Sequence, residues 1–101
     1  MTDAAWPLKA PDEKKDYGIR WGPALAAQND GEEPDVLDSS TWVISPDGLT
    51  VVSHGYNPST GITAIWLTGG ELGVDYSCTN HVTTVAGRHH DKTKILKVRK
   101  K

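Results

Sequence analysis

The 101-residue sequence has no phenylalanine, one cysteine and one methionine, and it has no long apolar run. Each absence excludes something. A lone Cys78 cannot form an intramolecular disulfide or a cysteine zinc cage. No basic neighbour in sequence lowers its pKa, so it reads as a small buried hydrophobe rather than a nucleophile. A bilayer-spanning helix needs roughly 18 or more apolar residues, and none is present. The N-terminus lacks the apolar stretch of a signal peptide, which predicts a protein made in the cytoplasm and neither exported nor membrane-embedded. Excess charge of one sign is missing too. Eleven Lys and Arg face 13 Asp and Glu, a net charge of −2 that argues against a dedicated nucleic-acid binder.

Catalytic patterns are also lacking. Gly69-Gly70-Glu71-Leu72-Gly73 is no phosphate loop, because neither a Lys-Ser/Thr pair nor a helix follows it. Ser39-Ser40-Thr41 lies in a strand-like run where hydroxyls pair across a sheet. The acidic run Asp30, Glu32, Glu33, Asp35 and Asp38 lacks the spacing of a calcium loop and reads as solvated. His81, His89, His90 and Asp91 are the metal candidates. Adjacent His89 and His90 point to opposite sides of an extended backbone, so no convergent ligand set is expected there. The expectation is a non-enzyme without cofactor, metal or catalytic residues.

What remains is β-patterning. With 37% hydrophobic residues, one small core is expected, and four tryptophans must supply much of it at on the order of 200 Å² per ring. Ile62–Thr68 and Val74–Val85, rich in β-branched and aromatic residues, flank a connection with three glycines and predict a hairpin. Tyr76, Cys78, Asn80, Val82 and Thr84 share one face at period two. A tyrosine just after such a corner is how many immunoglobulin-like sandwiches begin a late strand. Tyr17, Ile19 and Trp21 alternate before Gly22-Pro23, and Ala24–Gln28 has room for one helical turn. Val36, Asp38, Ser40, Trp42 and Ile44 share one parity, ending at the turn Ser45-Pro46-Asp47-Gly48. Leu49–Ser53 is a strand, Tyr56–Gly61 a turn, Ala86–Asp91 a loop and Thr93–Arg99 a final strand. Turn signals every 8–12 residues or so predict an all-β, immunoglobulin-like sandwich of six to seven strands over residues 16–101. Residues 1–15, with Pro7 and Pro11, predict an extended N-terminal arm. Trp21, Trp42, Trp66 and Tyr76 are the expected core.

Candidate contact residues lie at the two ends. Trp6 is expected to anchor the arm, either on this domain or on a neighbouring subunit, and as a docking contact it would reach onto an adjacent chain. The basic end supplies Lys92, Lys94, Lys100 and Lys101 as a docking surface for an acidic partner, for which Asp30–Asp38 of another copy is a candidate. Exposed aromatics Trp6, Tyr56 and Trp66 are the platform that glycan recognition on a host surface would need.

Longer ordered matches now come into view. They run from Lys9-Ala-Pro11-Asp12 through Asp16-Tyr17-Gly18-Ile19-Arg20-Trp21, Ser40-Thr41-Trp42, Gly48-Leu49-Thr50 and Trp66-Leu67-Thr68-Gly69-Gly70. Gly73, Tyr76, Thr79-Asn80-His81-Val82-Thr83-Thr84 and Gly87-Arg88 complete the set. Over Lys9 to Arg99 the chain resembles the phage fibre–tail adaptor family, small virion structural proteins of tailed bacteriophages and prophages. That resemblance implies a non-enzymatic docking block assembled into virions in the host cytoplasm. Its implied partners are other virion proteins of tail, fibre, connector or capsid, in several copies per particle. Capsid decoration and a carbohydrate-binding module are the alternatives.

Overall fold

A computed structural model describes residues 4–22 and 36–100. The helical turn expected at Ala24–Gln28, the acidic residues Asp30 to Asp35 and Lys101 lie outside the described residues. The chain is all-β. Its strands are β1 (Ala4–Ala5), β2 (Lys15–Arg20), β3 (Leu37–Ser45), β4 (Leu49–Asn57), β5 (Ile62–Gly69), β6 (Asp75–Thr84) and β7 (His89–Lys97). They form two sheets, ordered β1-β7-β6-β3 and β2-β5-β4. Every pairing is antiparallel except β1 against β7, which is parallel.

Alternation decides what each strand buries. On β6, Tyr76, Cys78, Asn80, Val82 and Thr84 are buried and the residues between them are not. On β5 the buried set is Thr63, Ile65 and Leu67. The pairings Tyr17 with Ile65 and Ile19 with Thr63 carry the same face across to β2. Trp66 has the opposite parity and is 41% exposed, so it is not a core residue as expected. Ile62–Gly69 is apolar on both parities, and the β2 register selects which one faces inward. Trp21 and Tyr76 are buried, while Trp42 is half-buried against the core.

Strand β3 shows why its start was misjudged. Its register slips between Leu37 and Ser39, so Leu37 is buried while Asp38 and Ser39 are exposed. A bulge spends one extra residue and switches the face. The single parity assumed from Val36 to Ile44 therefore holds only from Ser40 onward. Strand β4 runs to Asn57, which shortens the expected turn to four residues, and Thr50–Asn57 are all exposed. Strand β7 starts at His89, so the loop expected as far as Asp91 closes by Arg88.

The corner before β6 is set by Tyr76. Its hydroxyl oxygen accepts the Glu71 N–H at 2.8 Å. Gly48 fits beneath that ring, where an added Cβ would come within 2.5 Å of the Tyr76 oxygen. With φ of 144°, Gly48 is also in backbone territory that favours glycine.

Candidate docking surfaces

The N-terminal segment is extended, but it lies on its own domain. The Trp6 N–H donates to Ile95 O at 2.9 Å, Lys9 N–H to Lys97 O at 3.1 Å, and Arg99 N–H to Lys9 O at 2.9 Å. The Trp6 ring stacks on Tyr17 at 4.6 Å between centroids and tilts against Trp42 at 5.8 Å. At 8% exposure Trp6 belongs to the core: of the two anchorages expected for it the structure has the one on its own domain, which corrects its assignment as a contact for an adjacent chain.

Lys9 completes the attachment. Its side chain is fully buried, and its ammonium donates to Gly69 O at 2.6 Å, Ala10 O at 2.8 Å and Pro11 O at 3.4 Å. Three carbonyls spanning the arm and the end of β5 thus satisfy a charge that burial alone would penalise heavily.

The basic end is less of a patch than expected. Lys92 and Lys94 share parity with Leu96 and are half-buried. The Lys92 ammonium sits 5.1 Å over the Trp21 ring centroid, occupied by its own fold. Only Lys100, among the described docking lysines, is exposed. The histidines do not converge either. His81 pairs with Asp91 directly across β6 and β7, while His90 lies on the other face beside Trp21. Among the described residues no group of three or more metal-binding side chains assembles. The three aromatics of the glycan platform are separated as well. Trp6 is buried, Trp66 faces outward from β5, and Tyr56, of opposite parity, donates to Asp38 O.

Asn80, which sequence reasoning placed on the inner face without a role, joins the two sheets. Its Oδ1 accepts from Trp21 Nε1 at 2.9 Å and from Thr63 Oγ1 at 2.6 Å. Its Nδ2 donates to Ser40 Oγ and to Thr41 O, each at 2.9 Å. An amide with two acceptor and two donor contacts has no unmet hydrogen-bonding capacity. Nothing short of its inward parity in a Thr-Asn-His run pointed to it.

Two buried acids shift with their surroundings. Burial, then the nearby Glu13, Cys78 and Asp16, pushes the Tyr17 hydroxyl from 10.0 up to about 12. Burial pushes the Cys78 thiol from 9.0 up to about 12. That thiol therefore stays protonated at neutral pH, consistent with a packing role. In the unfolded chain both groups ionise near their ordinary values, while the fold holds their protons to about 12. Their contribution to stability is complete below pH 9 and is lost as pH rises toward 12. The loss is steepest for the Cys78 thiol, at most about 1.4 kcal/mol per pH unit, and shallower for Tyr17, which lies nearer to the screening solvent. Melting temperatures measured from pH 8 upward should be level at first and then fall above pH 9, and Cys78→Ala should flatten part of that fall.

The outer surface offers flat sheet faces, strand edges and an open hollow beside Ala10, Pro11, Leu72 and Lys100. No group of side chains described above is arranged to activate a nucleophile. The described surface is thus one of sheet faces, edges and turns around a single buried cluster. Residues 9–97 match the family described as "Podophage GP4 fiber-tail adaptor protein gp77", and the chain belongs to that family. No curated protein matches the chain. It is a non-enzymatic structural protein of the phage virion, an adaptor linking tail or fibre components.

Proposed function

We propose that the two sheets close as an immunoglobulin-like β-sandwich whose open β4 edge receives an extended strand from a tail or fibre protein. Support for the sandwich comes from strand order. With β1 to β7 lettered A to G, one sheet holds A, C, F and G and the other holds B, E and D; the C-F-G and B-E-D sets are grouped as in immunoglobulin domains, while A pairs with G instead of joining B. The Tyr76 hydroxyl contact five residues upstream at the start of β6 fits the same architecture. The two sheets share one buried cluster, to which both β5 and β6 contribute.

The observation that carries the docking reading is strand β4. It has nine residues without a charged side chain or a proline, and among the described residues it pairs on one side only, with β5. Proteins ordinarily blunt such edges with lysines, prolines, bulges or short length, because unpaired main-chain groups invite another strand; of these β4 carries only a bulge, between Val51 and Ser53. An uncharged edge with Val51 and Tyr56 exposed suits strand addition, in which main-chain hydrogen bonds give affinity and alternate side chains give selectivity. Several copies per particle would multiply individually modest contacts. Within this reading the arm is part of the docking block itself.

Quantitative mass spectrometry of purified virions tests it. The wild-type chain should be present at a dozen or so copies, the scale of a symmetric tail ring. Val51→Lys places a charge on the edge and should remove the protein from particles while leaving its melting temperature within a few degrees. Normal incorporation of that folded variant would overturn the edge as the docking site. Hundreds of copies of the wild type would move the protein to the capsid surface.

A further inference from the structure

The outer face of the three-stranded sheet has an order that the adaptor reading does not use. Register places its residues in three rows that cross β2, β5 and β4. One row is Arg20, Ile62 and Asn57; the next is Gly18, Ala64 and Gly55; the third is Asp16, Trp66 and Ser53. The middle row holds the three smallest side chains on the face. The outer rows carry exposed Ile62 and Trp66 at their centres, and Arg20 and Asp16 at their β2 ends.

Consider a two-fold axis lying along the middle row and parallel to the sheet. It carries one outer row onto the other at the same strand. Arg20 then meets the second copy's Asp16, Ile62 meets its Trp66, and Asn57 meets its Ser53. Each contact occurs twice. Charge therefore faces opposite charge, apolar faces apolar, and amide faces hydroxyl, with no like-charge apposition among the six positions. This self-complementarity is the condition an isologous interface must meet. Neither Arg20 nor Asp16 has an ion-pair partner among the described residues.

The middle row supports the same conclusion independently. Gly55 lies within an exposed strand, where glycine weakens the strand and leaves no side chain to pack. Nothing among the described residues requires it there. A Cβ at Gly55 would meet no atom within 4 Å, and its φ is not in the left-handed region. Glycine at such a place often marks the close approach of another backbone. Small residues along the axis let two sheets approach while Trp66 and Ile62 fill the space on either side. The bulge at Val51 to Ser53 adds Val52 beside Trp66.

We propose that this face pairs with the same face of a second copy of the chain, forming a two-fold dimer held by Asp16–Arg20 contacts around a Trp66–Ile62 centre. The face is three strands wide, which puts the pairing in the weak class of interfaces. The proposal concerns the purified protein and stands apart from strand addition at β4, whose edge stays open in this dimer.

Sedimentation velocity over about 1 to 500 µM, the range suited to a small interface, tests it. The wild type should pass from monomer to dimer across that span. Asp16→Arg and Arg20→Asp should each weaken dimerisation about tenfold or more, because each sets like charges face to face. The double variant Asp16→Arg/Arg20→Asp should return to within about threefold of wild type, since the pairing is restored with its signs exchanged. Gly55→Lys, which puts a long side chain on the axis, should abolish the dimer with little change in melting temperature. A wild type that stays monomeric throughout would overturn the proposal. So would a dimer indifferent to both single swaps, or a double variant no better than either single one.

Discussion

Trp6→Ala should take most of the chain's stability and bring it close to unfolding at room temperature. The ring is 8% exposed, stacked on Tyr17 and packed against Trp42, so its removal opens a large void between the sheets. Losses of this kind cost about 3–5 kcal/mol. Small domains have roughly 5–15 kcal/mol in total, and a chain of this length tends toward the lower end. A fall in melting temperature of about 15 °C or more is the expected reading from circular dichroism or calorimetry. Trp66→Ala is the matched control. It deletes the same ring from an outward position, and surface substitutions of this kind stay near 0.5 kcal/mol. Equal losses at the two positions would show that the Trp6 stack does not hold the fold. Truncation before residue 10 should destabilise at least as much as Trp6→Ala, because it also removes β1 and the buried Lys9.

Asn80→Ala should be nearly as damaging, for a different reason. The amide is fully buried and meets Trp21, Thr63, Ser40 and Thr41. Deleting it leaves the Trp21 and Thr63 donors without their acceptor, and each buried orphan costs about 1–3 kcal/mol. The expected total is about 3–5 kcal/mol, read as a reduced denaturant midpoint. Asn80→Leu should fare no better, since an apolar replacement leaves the same donors unmet. Asn80→Asp keeps the acceptor but introduces a carboxyl that burial holds in its protonated form. Its pKa is raised in the fold, so its stability should be greatest at acid pH and fall as pH rises through neutrality. A leucine variant as stable as wild type would mean that packing around Asn80, not its hydrogen bonds, ties the sheets together.

The β-class and most strand positions could be read from alternation, because a strand with one covered face must repeat at period two. Tyr76, Cys78, Asn80 and Val82 stood out for that reason. Alternation failed where both parities were apolar, as around Ile65 and Trp66, since only the neighbouring register says which face is covered. It failed again at Leu37, where a bulge changes parity without a local sign. Trp6 was misplaced because a tail rich in proline and charge resembles a free arm, and its anchor on β7 lies some 90 residues away. The docking surface was the least legible part. Rows such as Arg20, Ile62 and Asn57 exist only once three separate strands are set side by side.

The parallel pairing of β1 with β7 has a mechanical consequence. The first strand begins near one end of the described chain and the last finishes near the other, and both run the same way. A pull that separates the two ends slides β1 and β7 past each other along their length. The bonds from Trp6 to Ile95, Lys9 to Lys97 and Arg99 to Lys9 then carry the load together instead of opening one after another. Resistance to such a force is set by the unfolding barrier rather than by equilibrium stability. A coupling piece of a tail or fibre assembly, tugged when the particle engages a cell, would be strongest along this axis.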